Sequence, residues 1–373
     1  MEELRKEEII KALLKKIKDK IKKISQPVKI MEVCGTHTMT VHKFGLRNML
    51  FDSGVEMLSG PGCPVCVTPN EINEAAIDLL SRRKNLILTT FGDMTRVPTN
   101  KGSLMTAVPA KNSAKRIVYS PEEALILAKE NRDKEVVFFG VGFETTIPSI
   151  AFIAKKAKEE KITNFSILSA LWLIPPPLKV IVQSREVNIS GFLYPGHVST
   201  IIGQKPYQFI AQEYKIPGAI TGFEPTDIML GINSILDQIL ENKPQVSIEY
   251  KRAVNPEGNP RAQALMAEVL EEKDAHWRGL GLIPNSGLKL KKEFSNYDAE
   301  IKFNLSIESQ NRDLPGCKCG EVLRGLILPP QCPLFGKICR PQSPQGPCMV
   351  SFEGACLAYY RYSLKFKRMD DGR

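Results

Sequence analysis

The chain has 373 residues, 43% of them hydrophobic and 25% charged, which is enough for two or three compact domains and excludes both a disordered tail and a mini-protein. A formal charge of +10 invites a nucleic-acid reading, but only 7% of residues are aromatic and no basic-aromatic stripe occurs, so single-stranded DNA or RNA is not an expected partner. With no apolar run of about 18 residues and no basic-apolar leader, the expectation is a cytoplasmic chain without a membrane span.

Residues 1–25 carry nine Lys/Arg against five Asp/Glu, about +4 of the total charge. Leu4, Ile9, Ile10, Leu13, Leu14, Ile17, Ile21 and Ile24 recur at three- and four-residue spacing, which draws one stripe along a helix. An N-terminal amphipathic helix over 1–26 is expected, docked by that stripe or offered to a membrane surface or partner. After Gln26-Pro27, apolar runs at 28–33, 85–90, 135–139, 165–170, 191–194 and 218–221 read as strands. Amphipathic segments such as 121–130 and 149–158 read as helices between them. Near-continuous apolar strands alternating with helices are the pattern of parallel sheets covered on both faces. The fold class is therefore α/β, with two doubly wound, Rossmann-like domains over 27–130 and 131–310 and a loop-rich lobe over 311–373. Ligands of such sheets bind at the carboxyl ends of the strands. A faint internal echo, Gly142-Phe143-Glu144-Thr145 and Gly222-Phe223-Glu224-Pro225, recurs eighty residues apart.

The nine cysteines are the most uneven feature. Cys34, Cys63 and Cys66 come early, and Cys317, Cys319, Cys332, Cys339, Cys348 and Cys356 fall within forty residues near the end. In a reducing compartment such clusters point to metal or thiol redox chemistry before structural disulfides. In Gly60-Pro61-Gly62-Cys63-Pro64-Val65-Cys66-Val67-Thr68-Pro69-Asn70-Glu71, the spacing of Thr68 and Glu71 predicts a capping box, with Pro69 at the first helical position. Cys63 and Cys66 then precede a helix N-terminus, whose partial positive charge favours thiolate. That suits a redox dithiol or half of a metal site, against the plainer reading of two small residues in a tight turn. Cys34 ends the first strand with His37 three residues on, either as a soft metal ligand with a second ligand or base beside it, or as an inert buried cysteine.

Seven prolines between Pro315 and Pro347 forbid long helices and central strands in the last segment, so a cross-link is expected to hold it. Its cysteines do not pair twice at the short spacing of tetrahedral zinc sites. An iron–sulfur cluster on four thiolates fits better, with zinc and structural disulfides as alternatives, and spacing alone does not say which four ligate. His197 and the Asp93/Arg96 pair are softer strand-end candidates. Gly140-x-Gly142 lacks the third glycine of a dinucleotide fingerprint, and no phosphate-loop motif occurs.

Taken together, Cys34-Gly35-Thr36-His37-Thr38, the stretch from Gly60 to Pro69, Tyr194-Pro195-Gly196-His197-Val198-Ser199 and Gly346-Pro347-Cys348-Met349-Val350-Ser351-Phe352-Glu353-Gly354-Ala355-Cys356 resemble, in order, the HypD family of hydrogenase maturation factors. The resemblance covers about residues 28–360. It implies a scaffold on which the iron of [NiFe] hydrogenase acquires cyanide and carbon monoxide, assisted by a small HypC-type chaperone and a HypE-type cyanide donor, as a monomer in transient complexes. By that likeness Cys34 holds the Fe(CN)2CO unit together with a chaperone cysteine, near His37, and Cys63 and Cys66 form a redox pair beside it. Cys317, Cys332, Cys339 and Cys356 would bind a [4Fe–4S] cluster, with Cys319 and Cys348 as a dithiol/disulfide between cluster and centre. Cyanide transfer from a thiocyanate-like donor is reductive, and a cluster with two thiol pairs makes a chemically sensible relay. Such a chain is an assembly scaffold more than a conventional enzyme. Met39 stands where the family often has a second histidine, so that role does not carry over, and whether His42 replaces it is open. The runner-up readings are a stand-alone cluster-dependent protein-disulfide oxidoreductase and a Cys34/His37 hydrolase.

Overall fold

Apolar runs covered on both faces make the centre of each sheet: in β5 (Glu135–Gly142) and β6 (Phe165–Trp172) every residue but Glu135 is buried. The computed structural model describes residues 2–307 and 313–363. In chain order the other strands are β1 (Val28–Glu32), β2 (Val55–Ser59), β3 (Leu86–Thr90), β4 (Ala114–Ile117), β7 (Gly191–Pro195), β8 (Gly218–Thr221), β9 (Val246–Ile248), β10 (Leu270–Trp277) and β11 (Gly281–Leu290). One sheet has the order β2-β1-β7-β8-β9 and is parallel throughout. The other runs β10-β11-β6-β5-β3-β4, with β4, β3, β5 and β6 parallel and the β10–β11 hairpin added antiparallel at its edge. The fold is thus α/β, two Rossmann-like sheets flanked by helices.

The sheets do not divide the chain where expected. The first draws its strands from 28–59 and 191–248, the second from 86–172 and 270–290. Residue 130 accordingly lies between β4 and β5, two strands of the same sheet. Periodicity tells which face of a strand is buried but not which sheet it joins. The division expected at 310 falls in residues 308–312, outside the described residues. The echoed turns also differ in place: Gly142 ends β5, whereas Gly222 follows β8 in the other sheet.

The N-terminal helix, Glu7–Ile21, docks by its apolar stripe on the long helix Pro225–Glu241, burying Leu13 and Ile17. Lys20 Nζ fixes the contact, bonding the Asn233 carbonyl and Oδ1 at 3.1 Å each and pairing with Asp237 at 2.7 Å. Over residues 313–363 the structure is turns and short helices, Cys319–Leu323 and Ala355–Ala358 among them, as its prolines require.

Each sheet has a point where the strand order reverses. In the first it lies between β1 and β7, in the second between β3 and β5. Such switch points open a crevice at the carboxyl ends of the strands, the usual ligand position in this architecture.

Candidate functional site

Cys34 follows β1 at the first switch point and stands as the N-cap residue of the helix Gly35–Lys43. Four strand ends meet there in sheet order: Gly62-Cys63 after β2, Cys34 after β1, His197 after β7 and Phe223 after β8. The C-terminal segment closes over them. A Cβ on Gly35 would overlap the Glu353 side chain, and one on Gly62 would overlap the backbone of Cys34, so glycine is needed at both for the loops to touch. Thr36 Oγ1 donates to Glu353 Oε1 at 3.2 Å. On the side of the second sheet a cleft of about 680 Å³ is lined by Pro64, Val65, Asp93, Thr145, Ser351 and Glu353.

The electrostatics around Cys34 are one-sided. Glu32, 3% exposed, accepts from the Cys34 amide at 3.0 Å and from the Thr38 hydroxyl, yet burial still pushes its carboxyl up to about 8. Glu353 is raised as well, by burial and by Asp93. Burial first, and then the Glu353 charge, push the Cys34 thiol up to about 12, against the helix N–H groups of His37 and Thr36. A buried thiol flanked by two carboxyl groups resists ionising until a cation arrives, and a coordinating metal deprotonates it outright.

His37 is fully buried, and burial pulls its imidazole down to about 4, so it is neutral at pH 7. Its Nε2 faces Thr221 Oγ1 at 3.0 Å and the Thr221 carbonyl at 3.3 Å, while Nδ1 has no partner among the described residues. Phe223 holds the ring in place, 5.1 Å from His37 and stacked at 3.8 Å on His197. A neutral imidazole turned to Thr221, beside a thiol held protonated, is the reverse of an activated Cys/His nucleophile. The hydrolase reading gains nothing from this geometry. His42 packs on Tyr359 at 4.3 Å, where burial and then Arg47 lower it to about 3.

Cys63 and Cys66 are joined in a disulfide with Cα atoms 5.2 Å apart. Cys63 caps a short helix, Pro64–Val67, and the next helix begins at Asn70 with Pro69 before it. The expected capping box does not form. Thr68 donates instead to the Pro64 carbonyl at 2.7 Å and accepts from Trp172 Nε1 at 3.1 Å, because this short helix needs its last carbonyls satisfied first.

In the lobe, the free thiols of Cys319, Cys348 and Cys356 lie close enough to shift one another's ionisation, and so do those of Cys317 and Cys319. Cys339 lies within electrostatic reach of Cys317, Cys319 and Cys332, and burial pushes it up to about 11. The contact of Cys348 and Cys356 with Cys319 and with each other lowers Cys348 and raises Cys356. Gly346 leaves room for the cluster of sulfurs, since a Cβ there would strike the sulfurs of both Cys317 and Cys319. Among the described residues no three His, Cys, Asp or Glu side chains are set to hold a single metal ion. Cys317 and Cys332 within electrostatic reach of Cys339, with Cys356 beside Cys319, bring to one lobe the soft thiol donors that an iron–sulfur cluster takes.

The profile of the HypD family, described as "Hydrogenase formation hypA family", matches residues 8–363. The chain belongs to the HypD family. Its similarity to relatives runs over nearly full length: 43% identity to hydrogenase maturation factor HypD2 of Bradyrhizobium diazoefficiens, covering 90% of each chain. It is 42% identical to hydrogenase maturation factor HypD of Rhodobacter capsulatus, again over 90% of each, and 41% to that of Escherichia coli K12, over 97% of each. Among the described residues no helix is long and apolar enough to cross a membrane.

Within this HypD-family chain, sequence reasoning reached the cysteines and His37 but passed over three side chains at the site. Glu32 had a signal, a carboxylate directly after the apolar Ile30-Met31 of the first strand and directly before Val33-Cys34. Phe223 had only a weak one, the echoed Gly-Phe-Glu turn. Arg278, buried between the early and late cysteines, had none, because its hairpin was not foreseen.

Proposed function

We propose that this member of the HypD family is the scaffold on which the iron of [NiFe] hydrogenase receives cyanide and carbon monoxide, with Cys34 as the protein's ligand to the Fe(CN)2CO cargo. The observation that carries the reading is the surroundings of Cys34: a buried soft ligand among strand ends, with two carboxyl groups and, among the described residues, no cation acting on it. Low-spin iron with cyanide and carbonyl ligands is soft and prefers thiolate. The cleft that opens past Pro64, Val65 and Glu353 supports a second ligand arriving from outside, from a small HypC-type chaperone, with a HypE-type partner delivering cyanide.

Cys317, Cys332, Cys339 and Cys356 would hold a [4Fe–4S] cluster, which supplies single electrons when bound. Cys319 and Cys348, near enough for Cys319 to shift the Cys348 thiol, and Cys63 and Cys66, already paired, are then two dithiol/disulfide couples between that lobe and Cys34. The burial of Cys63 and Cys66, 3% and 0% exposed, favours this internal relay over a stand-alone oxidoreductase, which needs a sulfur that a foreign disulfide can reach.

The test is iron and labile sulfide in protein purified anaerobically with and without a co-expressed HypC-type chaperone. Alanine at Cys317, Cys332, Cys339 or Cys356 is expected to remove the sulfide, and Cys34→Ala to remove only the iron gained with the chaperone. Stoichiometric zinc with no sulfide would overturn the cluster assignment.

A further inference from the structure

The hairpin β10–β11 inserts its tip, Trp277-Arg278-Gly279, between the two groups of cysteines. Arg278 is 2% exposed. Its backbone N–H donates to the Val67 carbonyl at 2.8 Å. Its Nη2 donates to the Thr68 carbonyl at 3.0 Å and to Asn70 Oδ1 at 2.7 Å, and its Nη1 pairs with Asp313. The carbonyls of Val67 and Thr68 are acceptors left over where the helix Pro64–Val67 ends, so one residue satisfies the terminus that follows Cys66. Gly279 then lies backbone to backbone on Gly320, the residue after Cys319, where a side chain on either would collide. On the other side Trp277 packs on Trp172 at 5.5 Å and on Phe143 at 6.0 Å. The helix Pro64–Val67, which carries Cys66, itself packs against the turn Pro347–Met349, which carries Cys348.

We propose that Arg278 is a positioning residue for thiol–disulfide exchange between Cys63/Cys66 and Cys319/Cys348, holding the helix Pro64–Val67 in register with the turn Pro347–Met349. This rests on the reading of the two pairs as redox partners. The exchange needs no outside reductant. One sulfur of the reduced Cys319/Cys348 pair attacks the Cys63–Cys66 disulfide, making an interpair S–S bond and releasing one thiolate. The second lobe sulfur attacks that mixed disulfide, leaving a Cys319–Cys348 disulfide and a Cys63/Cys66 dithiol that carries the two protons the lobe pair gave up. Each attack needs its sulfurs aligned, and a misplacement of about 1 Å can cost about 100-fold.

The mixed disulfide is trapped in the full chain carrying Cys63→Ser or Cys66→Ser, oxidised anaerobically with diamide, alkylated and digested. Peptide mass spectrometry reads the interpair crosslink as a ratio to the Cys319–Cys348 disulfide formed in the same sample, a reference that a general loosening of the lobe would also move. Arg278→Met is expected to lower the ratio at least about tenfold. Arg278→Lys, keeping the charge without the fork, restores part of it, and Asn70→Ala gives a smaller loss. If Arg278→Met does not fold, the Lys and Asn70 variants decide by the same ratio. A ratio unchanged in every variant that folds overturns the role of Arg278 and leaves the relay standing. No interpair crosslink in any background, with Arg278 intact, overturns the relay itself.

Discussion

The Gly35 amide donates to the Gly62 carbonyl at 2.9 Å, joining the loop that carries Cys34 to the loop that carries Cys63 and Cys66. Neither glycine has a positive φ, so what the position demands is space. Gly62→Ala should force the two loops apart, at a cost of about 1–3 kcal/mol for overpacking. Urea unfolding checks the stability, and the iron gained with the chaperone should fall with it. Full stability and iron content in this variant would show that the close approach is dispensable.

Thr68 is the second such tie. Its hydroxyl accepts from the buried Trp172 indole and donates to Pro64, so Thr68→Val keeps the shape and strands the indole N–H. The expected loss is about 1–3 kcal/mol, and Thr68→Ser, which retains both bonds, should lose clearly less. Urea unfolding of the two variants side by side gives the difference.

Glu144 gives the fold a pH dependence. It is 1% exposed, accepts from the Ile174 amide at 3.0 Å, and burial pushes its carboxyl up to about 7. The folded chain therefore binds a proton that the unfolded chain has released above about 4.5. Stability from this group is complete below that value and is lost as pH rises through about 7, on the order of 3 kcal/mol in all. Glu144→Gln should flatten that slope, leaving the variant the more stable of the two at pH 8. Denaturant unfolding at pH 5 and pH 8 measures it, and equal slopes in both proteins would refute the assignment.

The strands legible in the sequence, β1, β3, β5, β6, β7 and β8, are inner strands, whose apolar runs come from burial on both faces. Those missed are β2, β4, β9 and β10, the four sheet edges, and β11, the partner of β10. Ala114-Lys115-Arg116-Ile117 shows why: an edge strand can be half charged and still pair. The site was legible where chemistry leaves rare residues, in the cysteines and His37. It was not legible where a common residue acts through burial, as Glu32 and Arg278 do, because burial is a property of contacts far apart in sequence. The split of each sheet between two chain segments was hidden for the same reason.

The measurement that bears most directly on the central claim is infrared spectroscopy of the chain co-expressed with a HypC-type chaperone and purified anaerobically. Cyanide and carbonyl stretches fall in a window otherwise empty of protein bands. They are expected in the natural chain and should be absent from Cys34→Ala, with circular dichroism unchanged. Undiminished cyanide and carbonyl bands in Cys34→Ala would contradict the assignment of Cys34 as the iron ligand.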